Sequence, residues 1–119
     1  MLVAVNGGLD VPFDIARVYY IVGTKGHARG FHAHRKLHQI LVCVSGSCRV
    51  IIDDGHNRRE HFLDRPDSGL HVKPYQWREM VDFSADCVLL VLASAHYDEA
   101  DYIRDYDVFL AETTTATLE

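Results

Sequence analysis

His32 and His34 stand two residues apart in the run Gly30-Phe-His-Ala-His34, with Arg29 just before it. The run reads as a strand. Side chains alternate across a strand, so both imidazoles are expected on one face. Imidazole changes charge near neutral pH and is also a common metal ligand. Two of them on one side of a sheet suit either proton transfer or metal coordination. The plain alternative is a pair of surface histidines facing solvent. The apolar run Ile40–Val44, expected to form a hairpin with the histidine strand, weighs against that by placing the pair beside a core.

The elements that must position this pair read as short strands. Arg17–Val22 is rich in aromatic and β-branched residues, as are Ile40–Val44 and Cys87–Ala93. Asp53-Asp-Gly55 is a hairpin signal, because Asp-Gly supplies the turn backbone. Further strands are expected at Leu2–Val5, His27–Arg35, Cys48–Asp53, Arg58–Leu63, Leu70–Lys73 and Trp77–Phe83. Turn residues separate them at the spacing of a sandwich or barrel. Near the C-terminus the rhythm changes. Asp98 is expected to cap a short helix carrying Tyr102, Ile103, Tyr106, Phe109 and Leu110 at helical spacing. The tail Thr113–Glu119 carries no packing signal and is expected to be mobile.

A chain of 119 residues suits one domain with one core, here residues 1–119. The formal charge is 12 − 17 = −5, which argues against nucleic acid or an anionic membrane as partner. No stretch is long and apolar enough to span a membrane, and no signal-peptide pattern opens the chain, so a cytoplasmic location is expected. Cys43, Cys48 and Cys87 lie in apolar runs and are expected to pack as small hydrophobes. A Cys43–Cys48 disulfide across the Ser45-Gly46 turn is geometrically feasible but out of place in a reducing cytosol.

An antiparallel sandwich with His-x-His on an inner strand resembles the cupin jelly roll. Its first motif is matched by Gly30, His32, His34, Gln39 and Gly46, with glutamine in the acidic slot. Its second is matched by Pro74-Tyr-Gln-Trp77-Arg78, with Arg78 in the histidine slot. An amide and a permanent cation replace two ligands of the usual metal set, so no metal and no cofactor are expected.

The resemblance extends to longer blocks. Arg17–Ile21, Thr24-Lys-Gly26, Arg29–His34, Leu41–Cys48, Asp82–Ser94 and Tyr97–Arg104 are similar to the nucleotide-sugar 3,4-ketoisomerases of the WxcM-like type. This likeness covers the chain from Leu2 to about Leu110. It implies conversion of dTDP-4-keto-6-deoxyglucose to a dTDP-3-keto-6-deoxyhexose in deoxyamino-sugar biosynthesis, by a homodimer. Two departures stand out: the family's leading strand with Asp-x-Arg-Gly is absent before Leu2, and its Trp-His-Glu reads Trp77-Arg78-Glu79.

Moving a ketone from C4 to C3 requires removal of the C3 proton, an enediol and reprotonation at C4. That calls for a base poised near neutrality, plus donors or cations near the oxygens. His34 is assigned as the carbon base, and His32 as its partner at carbon or oxygen. The spacing alone does not separate the two roles. The base is expected to titrate near the unperturbed histidine value. Tyr20 is the candidate phenol donor, on a strand face expected to point to the core with Val18 and Val22, and Arg29 is the candidate stabiliser of the enediolate. Arg17 and Arg104 are expected to hold the diphosphate of the dTDP-linked 4-keto-6-deoxyhexose, with Trp77 stacking on base or sugar and Lys73 a further contact. Two other readings are kept: a cupin 3,5-epimerase on the same substrate type, disfavoured because no Asp is evident beside either histidine, and a non-catalytic nucleotide-sugar binder.

Overall fold

The computed structural model describes residues 1–118, with side chains through 114. Among the described residues nine strands run in the order β1 (Arg17–Ile21), β2 (Arg29–His34), β3 (Gln39–Ser45), β4 (Cys48–Asp53), β5 (Arg58–Leu63), β6 (Leu70–Val72), β7 (Trp77–Val81), β8 (Val88–Ala93) and β9 (Tyr102–Ile103). They form two antiparallel sheets, ordered β1-β8-β3-β6 and β5-β4-β7-β2-β9. This is the expected all-β sandwich of cupin type. Leu41, Cys43 and Leu89 from the first sheet meet Val50, Ile52 and Met80 from the second, and this forms the main core.

The two histidine-bearing and apolar strands expected to pair do not. β2 bonds β7 and β9, whereas β3 bonds β6 and β8. Residues 35–38 carry the chain across the sandwich from one sheet to the other. The Ser45-Gly46-Ser47 turn likewise joins strands of different sheets. Gly46 has φ +67, and a Cβ there would stand 2.3 Å from Ser84 Oγ, so only glycine fits. The β4–β5 hairpin forms around Asp54-Gly55 as expected, with Asp53 opposite Arg58.

Residues 2–5 are not a strand. They pair with no edge; Val3, Ala4 and Val5 instead lie over the outer face of the first sheet beside Ile40, Val42 and Leu92. Near the C-terminus the expected single helix is divided. Asp98 does cap a helix, but only the 3-10 turn Glu99–Asp101, where its side chain accepts from Ala100 N. Tyr102 and Ile103 then add to the free edge of β2, opposite His34 and Ala33. Sheet pairing has overridden their helical spacing. Asp105 starts helix α1 (Tyr106–Leu118) by accepting from Val108 N at 3.0 Å. Phe109 of α1 packs with Ala33, Trp77 and Ile103 in a second small core. The stretch from Thr113, expected to be an unpacked tail, continues this helix to Leu118, and Thr113 is buried against Gly55. Glu119 lies outside the described residues.

Candidate active site

The two histidines share a face, but a bulge sets their aim. The β2–β7 register slips between Gly30 and His32, where Gly30 has φ +91 and Phe31 has φ 58. A Cβ on Gly30 would come within 2.8 Å of the Arg78 carbonyl oxygen. Glycine is therefore required where β2 crosses β7, and the slip brings His32 opposite Arg78. The His32 and His34 rings stand edge to face, 5.0 Å between centroids. Tyr102, delivered by β9, lies 4.9 Å from His32 and 4.3 Å from His34.

Hydrogen bonds fix the tautomers. His34 Nδ1 is 3.1 Å from Asp101 Oδ2. A carboxylate only accepts, so the proton sits on Nδ1. Asp101 is itself held by the backbone N–H groups of Lys36 at 2.8 Å and Leu37 at 3.2 Å. His32 Nδ1 lies 3.1 Å from the Gly30 carbonyl, which again places its proton on Nδ1. Each ring thus keeps a bare Nε2. That of His34 is buried and has no partner within the protein.

Burial first, and the neighbouring Arg78 cation second, lower the His32 pKa to about 3. The same causes bring His34 to about 4, against the opposing pull of Asp101. Both rings are neutral bases at pH 7. Arg78 is 1% exposed. Its guanidinium donates to Gln39 Oε1 and, at 3.2 Å, to the Gln76 carbonyl. Burial lowers its own pKa only to about 10, so it remains a cation. Gln39 passes the network on, donating to the Tyr19 hydroxyl at 3.0 Å.

Beside these groups opens a cavity of ≈ 570 Å³, with Arg17, Tyr19, Tyr20, Arg29, His32 and Arg104 among its walls. Three arginines around one mouth give it a strongly positive rim. The Arg17 guanidinium lies over the Tyr19 ring at 4.6 Å, and that of Arg104 over Tyr102 at 4.2 Å. Arg104 also pairs with Glu99 at 2.7 Å. His34, 1% exposed, lines a smaller adjoining space of ≈ 130 Å³ together with Asp101. A neutral base in a cavity rimmed by arginines fits an anionic substrate whose reacting carbon bears an acidic proton.

Residues 1–114 match the family model described as FdtA, WxcM-like, C-terminal. The chain belongs to the WxcM-like sugar 3,4-ketoisomerases. A TDP-4-oxo-6-deoxy-alpha-D-glucose-3,4-oxoisomerase of Aneurinibacillus thermoaerophilus is 57% identical over 99% of this chain and 86% of its own length. The crystal structure of a 3,4-ketoisomerase from Helicobacter canadensis superposes with TM-score 0.92 and 46% identity, covering 95% of this chain and 86% of that one. A mutant of the 3,4-ketoisomerase QdtA from Thermoanaerobacterium thermosaccharolyticum, in complex with TDP-4-keto-6-deoxyglucose, matches with TM-score 0.91 and 46% identity over 98% and 85%. As a member of this family the chain is an isomerase.

Of the residues expected to form this ketoisomerase site, His32, Arg17, Arg29 and Arg104 line the main cavity and His34 lies behind it. Tyr20 is on the wall but 67% exposed, with Val18 and Val22 also exposed. The face assignment of β1 is reversed: Tyr19, Arg17 and Ile21 point inward. β1 is an edge strand whose outer face is unpacked, so its apolar alternation gives no direction. Trp77 does not reach the cavity. It is buried between Tyr106 and Phe109, with its indole N–H on Glu79 at 3.0 Å. Lys73 lies on a different cavity with His71 and Arg59, because β6 belongs to the opposite sheet edge.

Sequence reasoning missed Asp101 and Tyr102. Both stand in the Tyr97–Arg104 block, where the apolar spacing predicts a helix, and only the β9 pairing brings them to β2. The donor set does not fit the metal that many cupins hold. The third and fourth ligand positions are a buried guanidinium and the amide that accepts its hydrogen bond.

Proposed function

We propose that the chain converts a TDP-linked 4-keto-6-deoxyglucose to its 3-keto isomer, with His32 rather than His34 as the base at carbon. The observation that carries this is the placement of His32 on the cavity wall with a bare Nε2, which burial and Arg78 keep unprotonated at pH 7 although they make it a weaker base than the one poised near neutrality that the chemistry calls for. His34 is the buried partner, oriented by Asp101. His32 removes the C3 proton, and the electron pair moves through C3–C4 to the C4 oxygen. The developing enediolate is stabilised by the buried cation Arg78, with the exposed Arg29 at the cavity mouth as a second donor. His34, through its Nε2, carries the 3-hydroxyl proton to the C4 oxygen; the C3–O bond becomes the new ketone, and the C3=C4 electron pair takes a proton at C4 from protonated His32. C3 is oxidised as C4 is reduced, so there is no net redox change, and no step runs through a metal. Arg17 and Arg104 hold the diphosphate, for which paired guanidinium donors are suited.

The test is incubation with TDP-4-keto-6-deoxyglucose in D2O, followed by NMR. The expected outcome is a ketone at C3 with deuterium at C4. Exchange at C3 and C5 without movement of the ketone would assign a 3,5-epimerase instead. That reading gains from the structure, because the His34–Asp101 pair supplies the His–Asp contact expected to be missing. A protein that binds TDP and does neither would be a binding module.

The same reading includes a homodimer. Val18, Tyr20 and Val22 form an exposed stripe at the β1 edge, which a second copy would cover. Light scattering at assay concentration checks this, and a clean monomer contradicts it. No described helix is long and apolar enough to cross a membrane. The reading places the enzyme in the cytoplasm, where TDP-sugars are made and used.

A further inference from the structure

Away from the catalytic cavity, three thiols meet inside the main core. Cys43 comes from β3 in one sheet, Cys48 from β4 in the other, and Cys87 from the turn leading into β8. Cys43 Sγ is 3.6 Å from Cys48 Sγ and 3.4 Å from Cys87 Sγ, and all three sulfurs lie within 4.8 Å of one another. All three are free and buried. Their surroundings are apolar: Val50, Leu63, Phe83 and Leu89 belong to the same cluster.

We propose that these three cysteines form a closed binding site for a trivalent thiophilic metalloid of the arsenous-acid type, bound through all three sulfurs. Geometry favours it first. Three bonds of ~2.3 Å at angles between a right angle and tetrahedral put sulfurs ~3.3–3.8 Å apart, the spacing already present for two of the pairs. Charge favours it second. The described residues packed around the thiols in this cluster are apolar and supply no cation to balance thiolates, and Asp86 beside Cys87 is itself an acid. A divalent ion on three thiolates would bury a net negative charge, which is costly. A trivalent centre on three thiolates is neutral.

The step also needs no free thiolate. Arsenous acid, As(OH)3, condenses with three S–H groups. Three As–O and three S–H bonds break, three As–S bonds form, and three waters leave. Nothing is oxidised or reduced. This suits thiols held protonated: burial pushes Cys87 up to about 12, and the contact with Cys48, with burial, pushes Cys43 up as well. Access requires only local opening of two turns, Ser45–Ser47 and Ser84–Asp86, whose residues are exposed or half-buried. The product ties the two sheets together through one atom.

The experiment is native mass spectrometry of the full chain, kept reduced with a phosphine and titrated with arsenite. The expected adduct is one arsenic per chain with the loss of three protons and no retained hydroxyl. It should bring a thiolate-to-arsenic absorption in the near ultraviolet and a higher melting temperature. Cys43→Ser, Cys48→Ser and Cys87→Ser should each reduce the adduct to a two-sulfur form that keeps a hydroxyl and binds at least tenfold more weakly. No adduct, a one- or two-sulfur adduct on the unmodified chain, or a three-sulfur adduct surviving any of the substitutions would overturn the proposal. Should a serine variant fail to fold, the proton count on the unmodified chain still decides.

Discussion

The molecule holds two touching histidine pairs, and only one of them can do chemistry on an anionic sugar. His32 and His34 stand between the sheets beside a cavity with arginines on its rim. His38 and His71 stand on β3, β6 and their approaches, with Nδ1 of one 3.0 Å from Nε2 of the other and Phe13 against both rings. In that second pair each ring spends a nitrogen on the other. Among the described residues no carboxylate holds either imidazole. In the first pair the orienting partners are Gly30 and Asp101, so both Nε2 atoms stay bare. Residue type and ring separation are thus alike in both places. What differs is which atom the surroundings leave free and what space that atom meets.

The sharpest way to break the comparison is one substitution in each pair. His32→Asn should lower turnover by roughly 10²–10⁴-fold, the usual contribution of a general base, with TDP affinity nearly unchanged. His38→Asn should leave turnover as it was. NMR of ketone migration and of deuterium entry at C4 reads both. Equal loss in the two variants would remove the distinction, and a larger loss for His34→Asn would return the carbon base to that residue.

Next in size is the orienting carboxylate. Asp101→Asn keeps the volume, but its amide can turn an N–H toward His34 Nδ1 and force the proton onto Nε2. A roughly 10²-fold loss of turnover is expected, below the ~10⁴ that a wrong tautomer costs in the Ser-His-Asp triad, because Asp101 acts one ring away from the carbon base. The effect should fall on kcat rather than KM. An unchanged kcat would make Asp101 merely structural.

These residues also show how much the chain discloses unaided. The Gly30–His34 motif, the arginines and the sandwich were legible because strand alternation, turn residues and apolar runs are local signals. Asp101 and Tyr102 were not. They reach β2 through a two-residue strand whose spacing also fits a helix, and only the free edge of β2 decides between them. Tyr19 and Tyr20 were exchanged for a related reason. On an edge strand both faces carry apolar residues, and the sequence does not say which face is covered. Trp77 was placed in the cavity because it sits in the cupin turn, but α1 packs over it. The Trp77–Glu79–Arg58 chain then holds it there, with Arg58 2.7 Å from Glu79.

A smaller effect separates the cations. Arg17→Ala removes a guanidinium from the cavity mouth and should weaken TDP binding by about tenfold to a hundredfold, the cost of one or two charge-assisted hydrogen bonds. Lys73→Ala, on the cavity shared with His71, should not change it. Calorimetry with TDP measures both. Equal weakening would mean that the substrate extends to the other sheet edge.

The smallest expected effect is the response of turnover to mild acid, and it tests the electrostatics directly. An ordinary histidine near 6.5 would be about one-tenth free base at pH 5.5, and the rate would fall about eightfold from its value at pH 7. His32 is held at about 3 by burial and by Arg78, so it should remain a free base and the rate should stay nearly flat. Stability moves the other way. With His32 near 3 and His34 near 4 when folded, and both near 6.5 when unfolded, the unfolded chain binds more protons between these limits. Stability is therefore complete above about pH 6.5 and declines as pH falls toward 4 and then 3. The acid limb of activity should accordingly track unfolding, followed by circular dichroism, rather than titration of the base. In Arg78→Met the cation is gone but burial, the larger cause, remains, so the pKa of His32 should rise only in part and any acid limb of kcat should begin at a higher pH than in the unsubstituted protein. A limb near pH 6.5 in the unsubstituted protein would show that His32 is not the buried, cation-facing base described here.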